Sequence, residues 1–422
     1  MAKKKTENGA LIGDDFFKSL AKETNGGVLN EKLSVNYFID TGNLALNYQS
    51  SGKFLKGGMP GGKLIEVYGP PSSSKSLLAT NLLRGCQKAG GIPIIFDCEN
   101  ATNAEFMEKA GHLDSARVIR YTPETIERCF NLMCQVITAI RKQKGNDFPI
   151  LIVYDSIGVS PCEREFAETK LPANYKPADW KKIVGRKEQP GERAKACNAG
   201  LRKINSIIEK SNTTVFVINQ IREKIGVLFG NPETTAGGGN ALPFYASNRM
   251  RTQAQKKIVH SEYGTVVGVN LKVKNVKNRA FRPFVEVANI KLYFDHGIDP
   301  LSGLVTLLVQ EERITKKGAG NYSVNSEYLP KGKTEYNFKT AETESFPKQV
   351  LMDCPALVDA SSKEEIEEYL KDYSDAIQIS GSGKYSEKSV HVGELDELVD
   401  SVVEDSEDQL SDEYDTNPEN PE

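Results

Sequence analysis

Lys63-Leu64-Ile65-Glu66-Val67-Tyr68-Gly69-Pro70-Pro71-Ser72-Ser73-Ser74-Lys75-Ser76 runs from a strand-like apolar stretch into a loop of small residues that ends on a lysine and a hydroxyl. Lys63 to Tyr68 reads as a strand, Gly69 to Ser76 as a loop, and Leu77 to Lys88 as a helix. A strand–loop–helix of this form wraps successive backbone N–H groups around a phosphate and adds the partial positive charge of a helix N-terminus. Gly69, Ser72, Ser73 and Ser74 supply the small side chains, Lys75 reaches the outer phosphates, and the Ser76 hydroxyl suits Mg²⁺. Ser74 stands where glycine is usual. Strings of this kind also arise by chance in solvated loops, so the weight rests on the apolar strand before it and the helix after it.

Outward from this loop the alternation continues. Ile92 to Asp97 reads as the next strand. Phe148 to Asp155 contains the most apolar strand, Ile150 to Tyr154, and follows a long helical stretch from Glu124 to Lys142. Thr213 to Asn219 follows a helix from Ala194 to Lys210. Strands alternating with helices predict a twisted, mostly parallel sheet covered on both faces, an α/β fold. After residue 245 the helices drop out, and Val266 to Val273 and Phe284 to Tyr293 predict antiparallel strands added at one edge. Residues 1–34 predict a small helical oligomerisation segment, 35–305 the core, 306–390 a C-terminal appendage and 391–422 an acidic tail. Within the appendage, 310–350 is polar and gives no clear pattern, while Ser362-Lys363-Glu364-Glu365 starts a capping-box helix to about Tyr373. Beyond Ser380 the composition predicts disorder.

The chemistry-bearing residues fall at strand ends. Asp97 and Glu99 close the second strand, Asp155 and Ser156 the most apolar one, and Asn219 and Gln220 the next. In a parallel sheet the strand C-termini share one edge, where ligands bind in open α/β folds. Any one of these is explained by a strand running into a polar loop; four together are not. Asp155 is placed to hold Mg²⁺ through water, Glu99 to activate an attacking water, and Gln220 to hydrogen-bond a γ-phosphate and register its loss. Phosphoryl transfer needs chiefly positioning and charge neutralisation, which these groups supply.

The bulk properties narrow the classes. The chain has 422 residues, 39% hydrophobic and 26% charged, ordinary for a globular protein. No window approaches 18 uninterrupted apolar residues, so no membrane partner is expected. The basic start Met1 to Glu7 has no apolar stretch behind it and is not a secretory signal. Seven cysteines without a CxxC predict reduced thiols in a cytoplasmic location and no metal cluster. Net charge is −3, but residues 391–422 hold 13 Asp or Glu and no Lys or Arg, which leaves +10 on the remainder. A basic body with an acidic tail suits a protein that meets polyanions and moderates that contact; a solubilising tail explains the charge equally well.

Ile218-Asn219-Gln220-Ile221-Arg222-Glu223-Lys224-Ile225-Gly226-Val227-Leu228-Phe229-Gly230-Asn231-Pro232-Glu233-Thr234-Thr235, followed by Gly237-Gly238-Gly239-Asn240-Ala241-Leu242, resembles the second DNA-binding loop of the bacterial RecA family. Thr41 to Leu46 and Gly61 to Pro70 resemble the same family, and Gly297 to Leu304 with the acidic tail resembles phage UvsX-type recombinases. The resemblance covers roughly residues 35–305 and implies a RecA-type P-loop ATPase core that forms helical filaments on single-stranded DNA and exchanges strands with homologous duplex DNA. It implies ATP and Mg²⁺ as cofactors, and a single-strand-binding protein and a recombination mediator as partners. Phe106 would stack on adenine, with Asn103 nearby and Tyr293 near the nucleotide. Lys277 and Arg279 would reach the ATP of the neighbouring subunit; the family usually has Lys where this chain has Arg279. Arg202, Arg222, Gly237, Gly238 and Asn240 would contact DNA phosphates, with Ile225 wedged between bases. The first DNA loop would lie within 160–195, around Trp180. A hexameric replicative helicase on the same fold, and a non-hydrolysing DNA-binding filament protein, are the competing readings.

Overall fold

In the computed structural model the described residues are 14–24, 35, 37–165, 191–223, 233–235, 239, 241–380 and 385–389. The chain divides at Tyr37 into two units. The first contains helix α1 (Asp14–Glu23), on which Phe16 and Phe17 meet edge to face at 6.0 Å.

The second unit begins with β1 (Phe38–Ile39), α2 (Leu44–Ser51) and β2 (Met59–Pro60), and then reaches β3 (Leu64–Gly69) and α3 (Lys75–Lys88). There follow β4 (Ile92–Asp97), α4 (Ala104–Gly111), β5 (Ile119–Tyr121), α5 (Ile126–Lys144), β6 (Ile150–Asp155), α6 (Glu192–Ile208) and β7 (Thr213–Glu223). Next are β8 (Glu233–Thr235), α7 (Ala241–Tyr245), β9 (Asn248–His260), β10 (Val266–Asn278), β11 (Glu286–Tyr293) and β12 (Gly297–Ile298). Among the described residues β1 pairs with β2, and the other strands join one 11-stranded sheet in the order β12-β11-β10-β9-β3-β7-β6-β4-β5, with β8 beside β7 and β16 (Tyr385–Ser389) beside β9. The pairs from β5 to β9 are parallel and those from β9 to β12 antiparallel, the α/β arrangement expected from the pattern.

The parallel strands are apolar along their whole length because both faces are covered. Ile94, Phe96, Ile152, Tyr154, Val215 and Val217 pack against Phe130, Met133 and Ile137 of α5 and Leu201 and Ile204 of α6. α5 starts where Thr125 accepts a hydrogen bond from the Arg128 amide at 3.2 Å, and it ends at Gly145. A β-carbon at Gly200 would sit 2.1 Å from the Phe130 ring, so only glycine lets α6 lie this close to α5. This packing fixes the height of β4, β6 and β7, and hence of the residues at their tips.

Strand β9 has no counterpart in the sequence reading. Asn248-Arg249-Met250-Arg251-Thr252-Gln253-Ala254-Gln255-Lys256-Lys257 carries too few apolar residues to signal a strand, yet β9 joins the two halves of the sheet. Asn248 to Arg251 runs parallel to Ile65 to Tyr68, and the whole strand pairs with β10.

The appendage is ordered. It contains α8 (Leu304–Gln310), a small antiparallel sheet of β13 (Ile314–Gly318), β14 (Asn321–Val324) and β15 (Asn337–Lys339), and helices α9 (Lys348–Asp353), α10 (Lys363–Lys371) and α11 (Ser374–Ser380). It docks on the C-terminal half of α3. Arg84 lies 4.4 Å over the Tyr373 ring, Lys88 pairs with Asp372 at 2.8 Å, and Tyr369 and Tyr373 donate to Asp40 at 3.0 and 2.8 Å. Beyond Ser380, where disorder is expected, Tyr385–Ser389 forms β16 and pairs with β9 from His260 to Lys256. The segment is too polar to bury, but its backbone satisfies the open edge of β9, and Glu387 bonds Lys256 at 3.0 Å and Asn270 at 2.9 Å.

Candidate active site

The loop after β3 turns through left-handed backbone at Ser72 (φ 51°) and Ser74 (φ 56°), directly ahead of α3. Ser74 is the N-cap of α3 and makes no side-chain capping bond. The left-handed conformation accounts for the usual glycine there. At Gly69 a β-carbon would meet Thr252 O at 2.5 Å and Ser73 Oγ at 2.6 Å. Ser73 Oγ in turn lies 2.8 Å from Thr252 Oγ1, so β9 buttresses the loop. Lys75, 8% exposed, donates to Pro70 O at 2.7 Å.

Strand register brings the polar tips together. Gly69 is opposite Gln220, and Asp97 is opposite Asp155. Ser76 donates to Asp155 Oδ2 at 2.8 Å, and Ser156 donates to Glu99. Burial, and then the Glu99 carboxylate, push the Asp155 carboxyl up to about 7, against the Ser76 bond and Lys75. Asp97 differs. Burial works to raise it, but bonds from Thr102 and from Arg120, at 2.7 Å, hold it below the usual carboxylate range. Asp97 is thus a strut that ties β4 to β5.

Ser72, Ser73, Ser74, Lys75, Ser76, Glu99, Asn103, Phe106, Asp155 and Gln220 line one cleft of about 490 Å³, within the range of nucleotide-sized pockets. Asn103 caps α4, accepting from the Phe106 amide at 3.0 Å. Tyr293 does not line this cleft. It is 2% exposed, with its ring 6.1 Å from that of Tyr385. Phe294, one residue later, lines the cleft with Met107 and Val269. The sequence gives no sign of this exchange, because it follows from β11 ending at Tyr293. Two further groups escaped the sequence reading. Buried Glu66 accepts from Asn219 at 2.9 Å and pairs with Arg249, which ties the residue before Gln220 to β9.

Lys277 and Arg279 lie elsewhere. Asn278 pairs with Asn248, which sits beside Ile65 at the start of β3. The two cations are therefore at the edge of the sheet opposite the phosphate loop. Lys277 donates to Pro243 O and Phe244 O at 2.8 and 3.0 Å; its desolvation, then Arg279 and Arg249, lower its pKa. Phe244 beside it is 69% exposed.

The family model of the RecA N-terminal domain matches residues 21–167 and 178–299. The chain belongs to the RecA family of recombinases. It is 34% identical over 301 residues to Protein RecA of Mycoplasma mycoides subsp. mycoides SC, covering 69% of this chain and 78% of that protein. It is 32% identical over 334 residues to Protein RecA of Thermus aquaticus, covering 78% and 88%, and 35% identical over 299 residues to that of Thioalkalivibrio sulfidiphilus, covering 70% and 77%.

RecA-family membership brings nucleotide with Mg²⁺, and DNA, as the ligand classes for this site, and the cleft residues fit the first. The backbone of the serine loop and Lys75, which line the cleft, suit phosphate. The Ser76 hydroxyl and a carboxyl loaded by its neighbour's charge form a hard oxygen pair that a divalent cation would relieve. Of the residues expected to contact DNA, Arg202 is exposed on α6. Arg222 lies in β7, which leaves the sheet after Gln220 and pairs with β8, Ile221 opposite Thr235. The Arg222 side chain, Ile225, Gly237, Gly238, Asn240 and Trp180 lie outside the described residues. None of the described helices is long and apolar enough to cross a membrane.

Proposed function

We propose that the protein is an ATP-dependent strand-exchange recombinase, a DNA-dependent ATPase that polymerises head to tail on single-stranded DNA and pairs it with homologous duplex DNA. One observation carries this reading: the phosphate loop, Glu99, Asp155 and Gln220 share one edge of the sheet, while Lys277, Arg279 and exposed Phe244 share the opposite edge. No chain brings both sets to one nucleotide. Two copies stacked edge to edge do, and such a heterologous contact repeats as an open helix.

In this arrangement Lys75 and Ser76 hold the outer phosphates, and Asp155 with Ser76 holds Mg²⁺, which neutralises charge on the phosphoryl oxygens when bound. Glu99, oriented by Ser156, takes the proton of the attacking water. Lys277 and Arg279 of the next protomer add charge across the interface. Gln220 hydrogen-bonds the γ-phosphate and is the last residue of β7 paired with β3, just ahead of the segment that grips DNA. Loss of that phosphate therefore loosens DNA and neighbour together.

Mixing separates the shared site from a self-contained one. Lys75→Ala and Lys277→Ala proteins are each expected to lack DNA-stimulated hydrolysis. A one-to-one mixture regains about a quarter of wild-type sites, because random neighbours rebuild that share of interfaces. No recovery, with rings rather than filaments by electron microscopy, would point to a helicase. Glu99→Gln is expected to keep ATP and DNA binding and lose turnover; retained hydrolysis removes Glu99 as the base.

A further inference from the structure

One wall of the cleft is made by β10 and the end of β11, where Val269 and Phe294 line it. Gly268 pairs with Tyr293, and Asn270 with Lys291. Side chains alternate along a strand, so Asn270 and Tyr293 lie behind the wall that their neighbours Val269 and Phe294 form. The register between β9 and β10 shifts on both sides of this stretch, between Val266 and Gly268 and again between Asn270 and Leu271. Such irregularities bend a strand and re-aim its side chains.

Strand β16 is bound to the back of this stretch at two points. Glu387 accepts from Asn270 Nδ2 at 2.9 Å and from Lys256 Nζ at 3.0 Å, and Lys256 is the β9 residue opposite Asn270. One carboxylate thus clips the pair. Asn270 is fully buried, and the other partner of its amide nitrogen among the described residues, Asn289 Oδ1, is 3.5 Å away. The Tyr385 ring stands 6.1 Å from the Tyr293 ring and meets His260 edge-on at 5.2 Å. Phe294 follows Tyr293 directly, and its amide donates to Val267 O at 3.0 Å. Neither Tyr385 nor Glu387 lines the cleft.

We propose that Tyr385 and Glu387 are positioning residues: through Tyr293 and Asn270 they hold Phe294 and Val269 against the base of the bound nucleotide and so set its affinity. This role rests on the reading of the cleft as the ATP site. The phosphate loop lies outside its reach. Ser73 is backed by Thr252, next to the part of β9 that pairs with β3, whereas β16 pairs with Lys256 to His260. Loss of the grip from β16 therefore weakens contact with the base and spares contact with the phosphates. β16 also precedes the acidic residues 391–422, so the two are separable.

Affinities of the full chain for magnesium ATP and for magnesium tripolyphosphate, which has no base, read the two ends of the cleft separately. Glu387→Ala and Tyr385→Ala are each expected to weaken ATP binding about fivefold or more and to leave tripolyphosphate within about twofold. Tyr385→Phe, which keeps the ring, is expected to bind ATP as the wild type does. A chain ending at residue 390 keeps β16 and should keep its ATP affinity; one ending at 380 lacks β16 and should bind ATP as weakly as the alanine variants. Unchanged ATP affinity in both alanine variants overturns the proposal. So does an equal loss of ATP and tripolyphosphate, which would mean that the whole cleft had loosened. Lys75→Ala tells failure of this role from failure of the site. If that variant binds ATP as the wild type does, the cleft is not the nucleotide site and the positioning role falls with it; if it loses ATP, the positioning role alone is lost.

Discussion

At Ser74 the phosphate loop holds a β-carbon in left-handed backbone, at a cost of about 1–2 kcal/mol. Glycine would remove that cost but give back part of it as unfolded-chain entropy. Ser74→Gly is therefore expected to stabilise the nucleotide-free protein by about 0.5–1 kcal/mol, read as a higher urea midpoint at unchanged slope; a lower midpoint would show that the serine side chain is itself needed. Asp155 makes a second residue-scale prediction. Its carboxyl is neutral up to about 7 in the fold, against an ordinary 3.8 in the unfolded chain. The folded state therefore holds the proton more tightly. The stability this gives is complete below about 4 and is lost as pH rises through about 7 in the metal-free protein. Asp155→Asn should flatten that slope. Magnesium nucleotide favours the carboxylate, so binding near pH 7 should expel a proton. Calorimetry in buffers of different ionisation enthalpy reads it directly, and an apparent enthalpy independent of buffer would contradict it.

The elements determine which aromatic lines the cleft. β11 ends at Tyr293, whose ring turns into the core beside Tyr385, and the chain then delivers Phe294 to the cleft across from α4, which carries Phe106. Ring stacking on a purine contributes about 1–3 kcal/mol per aromatic. Phe294→Ala is expected to weaken nucleotide binding by about tenfold or more, measured with a fluorescent ATP analogue. Tyr293→Phe should leave affinity within about twofold, since the ring is buried beside Tyr385 and does not line the cleft. The reverse ranking would restore Tyr293 as the nucleotide contact. β9 shows a related division of labour: its Thr252 supports the phosphate loop and its Arg249 pairs with Glu66, which holds Asn219 next to Gln220. One polar strand thus supports both the serine loop and the residue next to Gln220.

On the scale of the whole molecule, charge separates along the chain. The 13 carboxylates after residue 390 face a remainder of +10. DNA phosphates and the acidic tail would then compete for the same cations. Deleting 391–422 is expected to tighten duplex DNA binding several-fold at low salt, with the difference fading as salt screens both contacts. Equal affinities at every ionic strength would leave the tail as a solubilising segment. Single-strand affinity should fall steeply with salt in either protein.

The phosphate loop and the acids at the tips of β4 and β6 were legible because a buried parallel strand must be apolar throughout and must stop at its polar end. Ile92–Asp97 and Ile150–Asp155 therefore announce both their extent and their functional ends. β9 and β16 were not legible. Both are polar and are held by backbone pairing to an available edge, which no local pattern records. Tyr293 and Phe294 are adjacent and both aromatic, so only the point where β11 leaves the sheet assigns one to the core and the other to the cleft. The sequence by itself determined which chemistry could be done; the tertiary structure decided that Lys277 and Arg279 lie across the sheet from the phosphate they would neutralise, because an antiparallel partner returns to the end where the parallel strands begin.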